Sequence, residues 1–95
     1  MITIVAKHII QEGQTTAFMN LAKELIAETR KETGNINYSL FEDTTHKNTL
    51  TFIEEWESKE AIDLHFNSIH FTRIVPQIKP LLAAAPEINL YQILD

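Results

Sequence analysis

Hydrophobic positions set the first reading of the chain, because their spacing changes four times. Ile2 to Ile10 (ITIVAKHII) is a β-branched, apolar run that predicts a strand. Gly13 marks the turn out of it. From Gln14 to Thr33 the spacing becomes helical. Phe18, Leu21, Ala22, Leu25, Ile26 and Thr29 form one stripe. Thr15 or Thr16 is the expected N-cap. Arg30 and Lys31 fall in the expected last turns, where cations suit the helix dipole, and Gly34 reads as a left-handed terminator. Asn37 to Glu42 alternates as a second strand, Asp43 to Asn48 is a polar loop, and Thr49 to Glu57 is a third strand closing a hairpin. Ser58 caps a helix, with Glu60 one residue early for a capping box. Asn67-Ser68 interrupts that helix, and Ser68 caps another through Phe71 and Val75. Pro76 predicts a kink or restart, Pro80 fits the first turn of a restarted helix, and Leu81 to Ala85 reads as core. Pro86 ends the segment, and Ile88 to Leu94 is a final strand.

The order β-α-β-β-α-β predicts a ferredoxin-like α+β sandwich, one domain over residues 1–95, with a four-stranded antiparallel sheet and its helices on one face. The strands offer apolar groups to both faces. Ile2 and Ile4 oppose Val5 and Ile9, Leu50 and Phe52 oppose Ile53, and Ile88 and Leu90 oppose Tyr91 and Ile93. A bare second face would expose more apolar surface than monomers tolerate. A sheet-on-sheet homodimer burying ~1,000–2,000 Å² is therefore expected.

Composition removes several function classes. The net charge is −5 and the eight basic residues are scattered, so no nucleic-acid-binding patch is expected. There is no cysteine, hence no disulfide, thiolate ligand or cysteine nucleophile. No apolar run is long enough to cross a membrane, and MITIVAKHII lacks the features of a signal peptide, which makes the cytoplasm the expected location.

Chemistry-bearing residues cluster in "EEWESKEAIDLHFNSIHF", Glu54 to Phe71. Trp56 shares a strand face with Glu54, Phe52 and Leu50. His65, nine residues after Trp56, falls on or beside the inward face of its helix, and an imidazole suits proton transfer near neutral pH. His70 falls in the first turn of the next helix, where free N–H groups could hold an oxyanion. Five residues across a helix break is a poor metal-ligand spacing for His65 and His70, and no third ligand stands out, so no metal is expected. Of Glu54 and Glu55, which point to opposite faces, Glu54 is expected to form a salt bridge with Arg30, Lys7 or Arg73. Tyr38 reads as a core or pocket-wall aromatic. His8 is compatible with either sheet face, and His46 belongs to a solvated loop.

Together with "ETRKETGNINYSL" (Glu28 to Leu40), this stretch resembles the two signature regions of the antibiotic biosynthesis monooxygenase family. The matching residues are Glu28, Thr29, Arg30, Glu32, Gly34, Tyr38, Glu54, Trp56, Ser58, His65, His70 and Phe71. The resemblance implies a dimeric α/β barrel, with a pocket between sheet and helices in each subunit. It also implies O2 chemistry without flavin, haem or metal, in which the substrate's own anion reduces oxygen. Oxygenase members often carry Asn on the strand that holds the Trp; here the same-face positions are Glu54 and Phe52. The helix positions used in haem degradation hold His65 and Val75, which argues against that activity.

The expected function is a cofactor-independent monooxygenase of a quinol-like aromatic. Trp56, Phe52 and Phe66 would form the apolar wall, with His65 accepting a phenolic proton. The alternatives are isomerisation of a small phosphorylated sugar-like signal, with His70 and Arg73 holding the phosphate, and a non-catalytic small-molecule-binding dimer.

Overall fold

The computed structural model describes residues 1–95. The elements are β1 (Ile2–Ile9), α1 (Thr15–Thr29), β2 (Asn35–Glu42), β3 (Thr49–Trp56), α2 (Lys59–Phe66), α3 (Ile69–Ile78) and β4 (Glu87–Gln92), with a 3-10 turn at Lys79–Leu81. The sheet order is β2-β3-β1-β4, with every neighbouring pair antiparallel. This is the ferredoxin-like α+β architecture.

Alternation decides which side chains meet the helices. On β3, Leu50, Phe52, Glu54 and Trp56 are all buried, while Ile53 is exposed. Opposite them on β1 stand His8, Ala6, Ile4 and Ile2. The helices close this inner face with Phe18, Ala22, Leu25 and Thr29 of α1, Ile62 and His65 of α2, and Ile74 and Ile78 of α3. A β-bulge at Ile36 shifts the register of β2, so that Asn37 pairs with Glu55 and Tyr38 with Glu54. Were Ile36 paired regularly instead of bulged, Tyr38 would stand opposite Ile53 and face outward.

Several local expectations are corrected. The residue capping α1 is Gln14, and no side chain caps the helix. That helix ends at Thr29, four residues before the expected Thr33. The chain leaves it through successive tight turns, Glu32 N–H bonding Thr29 at 3.0 Å and Asn35 N–H bonding Glu32 at 3.1 Å. Arg30 instead donates from Nε to the Tyr38 carbonyl at 3.0 Å, tying the turn to β2. Gly34 is not left-handed; only Gly13 among the glycines has positive φ. Its role is close approach, because a Cβ at Gly34 would lie 2.3 Å from the Ala61 Cβ. Ser58 and Ser68 cap α2 and α3 as expected, accepting from Ala61 and Phe71 N–H. Pro76 lies inside α3, which runs through it to Ile78; only the 3-10 turn carrying Pro80 follows. Leu81 and Leu82 are partly buried, but Ala83 to Ala85 are exposed and not core.

β4 is exposed along its whole length. The helices do not reach over it, so even inward-facing Ile88 and Leu90 are half exposed. No helix is long and apolar enough to cross a membrane.

Candidate active site

A cavity of about 80 Å³ lies between the sheet and α3. Its wall is apolar, with Phe52, Phe66 and Phe71 contributing rings, and it reaches β4 at Ile88. Three polar side chains break that wall: His8, Tyr38 and Glu54.

Glu54 dominates the electrostatics. It pairs across the sheet with Ile4 and Tyr38, which forces its carboxylate inward among apolar groups. Only 5% of the residue is exposed. The expected salt bridge is absent. Lys7 pairs with Glu87 at 3.6 Å, Arg30 holds the Tyr38 carbonyl, and Arg73 pairs with Glu24. The donor that Glu54 does have is Trp56, whose Nε1–H reaches Oε1 at 3.0 Å. Burial pushes the Glu54 carboxyl up to about 7, the indole N–H pulls it down, and the charge of Glu32 adds to the rise. Glu54 can therefore both take up and release a proton near neutral pH.

Tyr38 stays a neutral hydrogen-bond donor, because burial and the Glu54 charge push its phenol well above the ordinary range. His8 faces inward, resolving the choice the sequence left open. Its Nδ1 lies 3.1 Å from the Ala6 carbonyl, which can only accept, so Nδ1 carries the proton and Nε2 is a free acceptor. Its ring meets Phe52 edge-on at 5.6 Å, and burial lowers its pKa.

The other candidate residues are placed differently. Trp56 and His65 do converge, with ring centroids 4.6 Å apart and planes tilted by 39°, but they pack directly on one another and enclose no hollow. Both are fully buried and neither lines the cavity; they stand one layer behind Tyr38. Burial lowers the pKa of His65, against a hydrogen bond to Glu32 that raises it. His65 Nδ1 and His70 Nε2 both meet Glu32 Oε2, at 2.7 and 2.8 Å. These three donor atoms lie within 4.8 Å of one another and could hold a cation. Arg73 is away from the cavity, on Glu24. His46 is exposed beside Asp43.

Sequence reasoning placed Phe52, Phe66 and Tyr38 among the lining residues, where the structure has them. It missed Glu54 as a cavity group, although alternation with Phe52 and Trp56 carried that signal. Glu32 was a motif position without a role, since nothing local links it to helices more than thirty residues away.

The chain is similar to known proteins. The family model described as "Antibiotic biosynthesis monooxygenase" matches residues 1–77. An uncharacterised protein of Synechocystis, sll1783, is 34% identical over 86 residues, covering 90% of this chain; the match spans only 58% of that relative's length. YcnE of Bacillus subtilis strain 168, provisionally named a monooxygenase, is 32% identical over 84 residues, 88% of each chain. A crystal structure of an antibiotic biosynthesis monooxygenase superposes with TM-score 0.95 at 30% identity, covering 100% of both chains. The family model matches well over half of the residues, and the chain belongs to the antibiotic biosynthesis monooxygenase family.

Proposed function

We propose that the protein oxygenates a small electron-rich phenolic compound at the cavity bounded by Phe52, Phe66 and Phe71, with Glu54 as the proton acceptor. The observation that carries this reading is a carboxylate buried in an apolar wall without a cationic partner and poised near pH 7. Family membership supports the monooxygenase class.

In the proposed reaction Glu54 takes the phenolic proton. The resulting anion passes one electron to O2, and the radical pair combines into a C–O bond. Glu54 returns its proton to the peroxide. O–O cleavage at a carbon that still bears hydrogen then leaves a carbonyl and releases water, so the substrate supplies all the electrons. Tyr38 donates a hydrogen bond to substrate oxygen, and His8 Nε2 offers a second acceptor. Dry aromatic walls protect the radical pair. Trp56 and His65 act from behind, by orienting Glu54 and fixing the Tyr38 ring.

The cavity is smaller than the few hundred Å³ usual for ligand sites. Phe66 is 37% exposed, and its outward rotation would enlarge the cavity to admit a ring. A homodimer formed through the outer sheet face, with Val5, Phe41, Ile53 and Tyr91, completes the proposed assembly. Phosphate-dependent isomerisation is disfavoured, because the Glu32 carboxylate occupies His70 and Glu24 occupies Arg73. The test is O2 uptake with a panel of quinols and related phenols. Wild-type protein should consume O2, and Glu54→Gln should lose about 10²–10⁴-fold in kcat/KM. Uptake unchanged in Glu54→Gln would remove Glu54 from the mechanism.

A further inference from the structure

Behind the cavity wall, three side chains from separate elements aim at one point. Glu32 comes from the turn after α1, His65 from the last turn of α2 and His70 from the first turn of α3. Both imidazoles approach the same carboxylate oxygen, at 2.7 and 2.8 Å. Ligand atoms at ~2.0–2.1 Å from a shared ion in tetrahedral geometry stand roughly 3.3 Å from one another. Two edges of the triangle therefore need to open by about half an ångström.

The charges around the cluster favour a cation. Glu32 has no lysine or arginine partner. Its neighbours are engaged elsewhere, Arg30 on the Tyr38 carbonyl and Lys31 on Glu28 at 2.9 Å. The second oxygen of Glu32 makes no hydrogen bond to the protein. The carboxylate and His70 are both partly open to solvent, so water can complete a coordination shell.

The other nitrogen of His65 supplies an independent reason. Nε2 is buried with no hydrogen-bond partner. The His65 ring lies in a cage of rings, with the centroids of Trp56 at 4.6 Å, Phe71 at 4.9 Å and Tyr38 at 5.5 Å from its own. Aromatic faces accept an N–H but do nothing for a bare lone pair. In the metal-free chain Nδ1–H donates to Glu32 and Nε2 is left bare; an ion bound at Nδ1 would take the place of that proton and shift the ring to the Nε2–H tautomer, which suits this cage. The same packing holds the ring rigidly, as a metal ligand requires.

We propose that Glu32, His65 and His70 form a binding site for one divalent transition-metal ion, with two imidazole nitrogens and one carboxylate oxygen as ligands. That donor set suits Zn2+, Co2+, Ni2+ or Fe2+ rather than Mg2+ or Ca2+. The ion would staple the α1–β2 turn to both α2 and α3. The site is separate from the proposed reaction cavity, and its occupancy is readable without any substrate. Spacing along the chain hides the third ligand, because Glu32 lies 33 positions before His65.

The experiment uses the full chain without an affinity tag, stripped with EDTA and titrated with Co2+ and then Zn2+. Expected are one equivalent bound by calorimetry, visible Co2+ absorption bands that Zn2+ abolishes, and a raised Tm. His70→Ala and Glu32→Gln should each weaken binding at least ~100-fold while keeping the native circular dichroism spectrum. No binding by the wild type, or equal binding by folded His70→Ala, would overturn the site. Loss of O2 uptake in Glu54→Gln with intact metal binding would keep the two proposals distinguishable.

Discussion

The Trp56 indole donates its N–H to the Glu54 carboxylate two residues earlier on the same strand face, at 3.0 Å. This bond is the polar partner found for a carboxylate that strand alternation drives into the core. It ties an indole outside the cavity to the acid in the cavity wall.

The Glu54 proton gives a signed pH dependence. Its folded pKa of about 7 stands above the ordinary 4.5. Between those values the folded chain holds a proton that the unfolded chain has released. Stability should therefore fall as pH rises from about 4.5 to about 7, by at most about 3 kcal/mol, and level off above. His8 and His65, both lowered from 6.5, act oppositely and lose stability as pH falls below that value. We predict that Glu54→Gln abolishes the loss on rising pH and leaves only the acid-side loss. Urea denaturation between pH 5 and pH 8 measures both slopes; a variant as pH-dependent as the wild type above pH 6.5 would contradict the assignment.

Removing the indole N–H should tune the same proton. In Trp56→Phe, Glu54 loses the donor that pulls its pKa down, so the rising limb of kcat/KM should move to higher pH. The lost ring volume should cost about 1–3 kcal/mol. A limb that stays in place while stability drops would show that Trp56 serves packing alone.

Gly34 tests the docking of α2 on the start of β2. Gly34→Ala should destabilise the fold by about 1–3 kcal/mol, because its Cβ would overlap that of Ala61. Ala61→Gly in the same chain should recover part of this, less about 1 kcal/mol for glycine in a helix. Equilibrium unfolding of the four chains gives the coupling energy, and strict additivity would exclude the contact.

The outer sheet face should set the oligomeric state. Ile53, Phe41 and Tyr91 are each between about a third and half exposed on that face. We predict a dimer by analytical ultracentrifugation, and a folded monomer for Ile53→Lys, which buries a charge in the proposed interface. A monomeric wild type at tens of micromolar would leave this face as ordinary surface.

Much of the fold was legible because periodicity is a local property. The α1 stripe from Phe18 to Thr29, the Ser58 and Ser68 caps and the β2–β3 hairpin all follow from spacing and side-chain chemistry. The end of α1 was not legible. Helical residues continue past Thr29, but Arg30 and Glu32 find partners on β2, α2 and α3 that the local pattern cannot show. The face of His8 was equally hidden, since an imidazole is compatible with either side of a sheet.

The site divides along the same line. By itself the sequence determined the element order, the inward row of Phe52, Glu54 and Trp56, and the family to which they point, because alternation and caps depend on neighbours along the chain. Only the tertiary structure decided that Glu54 has an indole instead of a cation, that Tyr38 faces it through a bulge, and that His65 sits on Glu32 outside the cavity. Those outcomes depend on which distant groups compete for each buried charge, and that competition is settled only when the sheet and its helices close over one another.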